Sequence, residues 1–108
     1  MTVAALSEAL SLTPLCLPDP DAEITGGYAG ALLSWVMGRA EAGNAWVTIM
    51  SNRNILAVAT LAATSAVILS EGVAPDEGVL PEAEKRGINL LQSPLSTFAL
   101  CGRLAALL

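Results

Sequence analysis

The chain has 108 residues, ten acids against five bases, a formal net charge of -5, 54% hydrophobic residues and no histidine. One domain with a real core fits this length, and disorder does not fit so apolar a composition. Nucleic acid, which needs a basic stripe, and every chemistry built on imidazole are excluded as partner and mechanism.

Thr2 caps a short first helix whose face is Val3, Leu6 and Leu10. Thr13–Leu17 reads as a short strand that Pro14 holds at a sheet edge, and Pro18-Asp19-Pro20-Asp21 is turn chemistry. Thr25-Gly26-Gly27 follows in a strand-like stretch, where two glycines predict a bulge or a close approach by a ligand or another backbone. Leu32, Leu33, Val36, Met37 and Ala40 then mark a helix that closes at Gly43-Asn44.

From here the alternation is regular. A strand over Trp46–Met50 precedes a helix over about Asn54–Ala63; a strand over Ala66–Leu69 precedes a helix that starts near Leu80, with Pro81 in its first turn, and ends at Gly87. A strand over Ile88–Leu91 leads to a last helix from Leu95 to about Ala106, capped by Ser93 before Pro94 or by Ser96. Strand–helix repeats with short connections imply parallel strands. The expected fold is a single α/β domain over residues 1–108: a small, mostly parallel sheet with flanking helices and an irregular N-terminal helix and strand.

Mean hydropathy is high, +0.61, yet the longest charge-free runs, Asn54–Ser70, Gly87–Gly102 and Ile24–Gly38, are shorter than the ~20 residues of a membrane span and are broken by polar residues, Gly or Pro. Buried parallel strands account for them. The N-terminus lacks a basic region and carries Glu8, so no signal peptide is expected. Cys16 and Cys101 are far apart among apolar neighbours and read as reduced core thiols in a cytoplasmic protein.

Three strand-to-helix turns should meet at the carboxyl edge of the sheet, where open α/β folds bind ligands. They carry Ser51-Asn52-Arg53, Ser70-Glu71-Gly72, and Gln92-Ser93 with Thr97. Helix N-termini and the forked donor of Arg53 suit a small anion or nucleotide; equally, Ser51 or Asn52 and Ser93 are ordinary helix caps and Arg53 a solvated charge. Asp19-x-Asp21-x-Glu23 fails as a calcium loop, because Ile24 and Gly30 stand where glycine and a bidentate acid are needed. The single lysine, Lys85, follows no glycine-rich turn, so there is no P-loop. With no acid/base pair either, no enzyme activity, metal or cofactor is expected.

The last helix has one charge, Arg103, and two apolar stripes, one with Leu100, Leu104, Leu107 and Leu108 and one with Phe98, Cys101 and Ala105. Such a helix is covered on two sides, by the sheet and by a partner or the first helix. Trp35 lies off its helix's main stripe, as an interface anchor does. Trp35, Phe98 and Leu104 are therefore the candidate interface residues, and self-association, most simply a homodimer, is expected.

Glu23-Ile24-Thr25-Gly26-Gly27, Ser51-Asn52-Arg53-Asn54-Ile55, Val67-Ile68-Leu69-Ser70-Glu71-Gly72 with Pro75-Asp76, and Gly87-Ile88 with Ser93-Pro94-Leu95-Ser96-Thr97-Phe98 occur in the order and spacing of a DRTGG domain. The chain resembles that family along nearly its whole length, with Glu23 and Ile24 in place of Asp and Arg and Ser70-Glu71-Gly72 where Thr-Gly-Gly is usual. The resemblance implies a fold like the N-terminal domain of HPr kinase/phosphorylase, without that enzyme's P-loop domain. It implies a regulatory or assembly module, as in long phosphate acetyltransferases and beside CBS domains in some inorganic pyrophosphatases. The strand-end turns and the glycine pair together make Thr25, Gly26, Gly27, Asn52, Arg53, Ser70, Gly72 and Thr97 the candidate ligand-binding positions. Small stand-alone members occur with iron-only hydrogenase genes in anaerobes, which implies a second role: a ligand-free accessory subunit of a redox complex.

Overall fold

Buried β-branched and aliphatic runs at Ala45–Val47, Ala66–Leu69 and Leu90–Leu91 form the middle of a five-stranded sheet in a computed structural model that describes residues 1–108. The strands are β1 (Thr13–Cys16), β2 (Gly26–Ala29), β3 (Asn44–Thr48), β4 (Ala66–Leu69) and β5 (Leu90–Gln92). They lie in the order β1-β5-β4-β3-β2. Strands β2 to β5 are parallel, and β1 pairs antiparallel with β5 at one edge. The fold is thus the expected small α/β domain.

The period-two pleat divides the strand residues between two cores. Helices α1 (Val3–Ala9) and α5 (Thr97–Leu107) cover one face, where Leu6, Leu100 and Leu104 meet Ala45, Val47, Ala66, Ile68 and Leu91. Helices α2 (Leu33–Arg39), α3 (Asn54–Ala62) and α4 (Val79–Lys85) cover the other, where Val36, Ile55, Leu56 and Ala83 meet Trp46, Val67, Leu69 and Leu90. Trp46 is fully buried, and its indole N–H donates to the Gly30 carbonyl at 2.9 Å, fixing the end of β2 against β3. No helix is long and apolar enough to cross a membrane.

Several expectations shift. β3 begins at Asn44 rather than Trp46 and ends at Thr48, so Ile49 and Met50 leave the sheet. β5 begins at Leu90, two residues later than Ile88. Gly26 and Gly27 pair in regular register with Asn44 and Ala45, and the irregularity lies instead in β1, between Pro14 and Cys16. The last helix starts at Thr97, and of its two candidate caps Ser96 holds the position, accepting from the Ala99 N–H at 3.1 Å. Leu104, expected at an interface, is 4% exposed and belongs to the core. Both cysteines are free thiols, Cys16 buried and Cys101 half-buried.

Candidate functional site

Because β3, β4 and β5 run parallel, the turns after Thr48, Leu69 and Gln92 leave the sheet on one rim. There they bond to one another. The Ser70 N–H donates to the Thr48 carbonyl at 3.1 Å, Glu71 N–H to Leu95 O at 2.8 Å, Gly72 N–H to Ser93 O at 2.9 Å, and Asp76 N–H to Ser51 O at 2.9 Å. The Gln92 amide closes the middle by donating to Val73 O at 2.8 Å. Ser70, fully buried, shares a 2.6 Å hydrogen bond with the Thr97 hydroxyl. Beside that pair, Gly30, Ala31, Val47, Thr48, Ile49 and Thr97 line a cleft of about 200 Å³.

Two helix starts at this rim, those of α3 and α5, already hold a side-chain acceptor. Asn52 Oδ1 accepts from the Asn54 N–H at 2.9 Å, and Glu71 Oε2 accepts from the Thr97 N–H at 2.7 Å. The second contact places a carboxylate where α5 offers its positive dipole end. Glu71 reaches it from a left-handed backbone, φ 60°, followed by Gly72 at φ 68°. Arg53 is exposed and its guanidinium has no hydrogen-bonded or ionic partner. No sequence motif marks Glu71 as a capping group, or Thr48, Gly30 and Ile49 as cleft walls. The available signal was an acid between Ser70 and Gly72, where the resemblance leads one to expect glycine.

Of the eight expected ligand-binding positions, Asn52, Arg53, Ser70, Gly72 and Thr97 share this rim. Thr25, Gly26 and Gly27 do not, since β2 starts level with Asn44, at the amino end of β3. The Thr25 hydroxyl donates to the Ala42 carbonyl at 2.8 Å. Gly27 lets α5 approach, for a Cβ there would stand 3.1 Å from Leu104 Cδ2. Gly26, Gly27 and Tyr28 with Val47, Cys101, Leu104 and Leu108 border a second, apolar cleft of about 380 Å³. The close approach at Gly27 is therefore made by a helix.

One thiol is electrostatically distinctive. Burial pushes Cys16 up to about 12; its hydrogen bond to Glu84, 2.9 Å from Sγ to Oε2, and the charge of that carboxylate add to the effect. Burial alone raises Cys101. Neither is a nucleophile near neutrality. No cluster of three or more Cys, Asp or Glu that could hold a metal ion is present.

No family model matches the sequence, and no curated protein matches it. Among solved structures, the chain is similar to one of the CBS and DRTGG domains of the regulatory region of Clostridium perfringens pyrophosphatase, complexed with its activator, diadenosine tetraphosphate. The TM-score is 0.68 at 17% identity, over 93% of this chain and 44% of the other. The likeness is one of fold. The chain spans less than half the length of that relative, which is a regulatory region.

Proposed function

We propose that this chain is a non-catalytic regulatory module of the DRTGG kind, which senses a nucleotide or other small anion at its carboxyl rim and responds by changing how it docks. The observation that carries the reading is the convergence of three turns on the Ser70–Thr97 hydroxyl pair, 2.6 Å apart. The regulatory, nucleotide-complexed relative of the same fold supports it. Arg53 supplies the free cation and Asn52, Gly72 and Thr97 the neighbouring polar groups. An incoming anion competes with Glu71 for the Thr97 N–H, so the acid sets the threshold for binding. A ligand shifts such a module only through its different affinities for the two states.

Thermal melting of the whole chain with phosphate, AMP, ATP and diadenosine tetraphosphate tests this. A ligand at 100 times its dissociation constant stabilises by about 2.7 kcal/mol. Arg53→Ala should abolish the shift, and Glu71→Gln should enlarge it. The reading fails if none of these anions moves the melt, or if Arg53→Ala leaves the shift whole.

A second reading, a ligand-free interaction subunit such as hydrogenase-associated relatives would provide, is favoured by the exposure of Phe98 (90%) and Trp35 (52%). A host protein whose capture is lost with Trp35→Asp, without any small-molecule response, would select it.

A further inference from the structure

Charge is distributed unevenly over this acidic chain. Residues 24–70 hold Arg39, Arg53 and a single acid, Glu41; the other nine acids lie outside. That segment builds three strands and, packed together on one sheet face, α2 and α3. The helix pair itself therefore contributes no acid to its outer side; from another element Asp76 comes close, its N–H donating to Ser51 O in the turn before α3, and it makes no ion pair with Arg53. Glu41 follows α2 and is tied back at the amino rim, where its N–H donates to the Asn44 side chain. The next helix on the same face, α4, carries Glu82 and Glu84.

This face is also underpacked. α2 buries only Val36 and leaves Trp35 52% and Met37 48% exposed; Leu61 of α3 is 70% exposed. The Arg39 guanidinium lies 4.0 Å from the centroid of the Trp35 ring, an arrangement that stiffens both side chains. Neither Arg39 nor Arg53 has a carboxylate within ion-pair distance, although acids outnumber bases two to one; the ion pairs present are Met1–Glu23 and Arg86–Glu82. Trp and Arg are the side chains that dominate interface energetics, and complementary charge selects the partner.

We propose that the outer face of α2 and α3 docks an acidic protein segment, which lays an apolar side chain on Trp35 and presents carboxylates to Arg39 and Arg53. A second copy seated face to face would oppose four arginines without a carboxylate. A lipid surface is recognised by clusters of about four to eight basic residues, and this face has two. The proposal needs no ligand at the rim and shares only Arg53 with it, so its test leaves Arg53 alone.

Two synthetic amphipathic peptides with identical apolar residues, one with Glu and one with Lys at every polar position, are titrated into the whole ¹⁵N-labelled chain. The Glu peptide should move the Trp35 indole and Arg39 Nε–H signals and bind at least tenfold more tightly than the Lys peptide. Arg39→Glu should reverse that preference. Trp35→Ala should weaken the Glu peptide at least tenfold while the melting temperature stays put, both side chains being exposed. Equal affinity for the two peptides, binding by neither, or shifts confined to the rim would overturn the proposal. So would a Trp35 signal that moves with protein concentration alone, or with phosphatidylserine vesicles but not with the Glu peptide.

Discussion

Gly43 shows how one residue type can be fixed by two constraints at once. Its φ of 83° lies in the left-handed region, and a Cβ would stand 2.6 Å from Thr25 Cγ2. Thr25 cannot easily yield, because its hydroxyl is bonded to the Ala42 carbonyl. Gly43→Ala should therefore cost about 2 kcal/mol from strain and contact together, lowering the melting temperature by roughly 8–10 °C in a chain of this size. Cys16 gives a pH signature. Its thiol is held protonated up to about 12 in the fold, against 9.0 as its ordinary value. Between those values the native state binds more protons than the unfolded chain, so stability falls with rising pH. The contribution is whole below about 9 and is lost as pH climbs towards 12. Alkylation of native Cys16 at pH 9 should be far slower than in denaturant, and Glu84→Gln should speed it by removing the charge while leaving an acceptor oxygen in place. Residue-scale chemistry was legible where composition decides it: two scattered cysteines among apolar neighbours are free thiols. Glu71 was not legible, since an acid in a turn looks solvated until the fold brings the α5 N–H groups to it.

At the scale of elements, order and direction could be read from the strand–helix alternation, while ends could not. The hydrophobic signal of β3 continues through Ile49 and Met50, but hydrogen bonding stops at Thr48, where β4 ends beside it. In the same way, Asn44 carries no strand signal and is drawn into β3 by pairing with Gly26. The glycine pair in β2 predicts a bulge or a close approach. Only the second reading describes it, because the residue it accommodates, Leu104, is 77 positions away in the chain. Asn89 is a long-range tie of the same kind. Buried at 2% exposure, it accepts from the Asp19 N–H at 3.0 Å and donates to the Asp19 and Ser65 carbonyls at 2.7 and 2.9 Å. It thus anchors the loop after β1 to the starts of β4 and β5. Asn89→Ala should cost about 2–3 kcal/mol by removing three hydrogen bonds made by a buried side chain. Hydrogen exchange should show the loss first in residues 17–22, ahead of the central strands.

Across the whole molecule, two cores on opposite faces of one sheet leave two kinds of outer surface. The candidate site was legible as a rim, because parallel strands must leave from one end. Which residues share it was half legible, since Thr25-Gly26-Gly27 belongs to the other end and its motif signal says nothing of place. The homodimer proposed from the sequence now narrows to Phe98, because Leu104 is buried in the core and Trp35 lies on the far side of the sheet from α5. Phe98 is 90% exposed, next to the Thr97 hydroxyl that meets Ser70. A stable interface takes about 800 Å² from each partner, a substantial share of the 5363 Å² surface. An interface centred on Phe98 would thus reach the rim and the open cleft between β2 and α5. Sedimentation of the whole chain at high micromolar concentration should then give twice 11.0 kDa. Phe98→Asp should return it to the monomer mass with its circular dichroism unchanged, since an exposed side chain contributes little to the fold. An anion that melts the chain at higher temperature should also shift this equilibrium, because the first turn of α5 carries both the dimer anchor and the rim hydroxyl. Melting and association that respond independently would separate sensing from assembly.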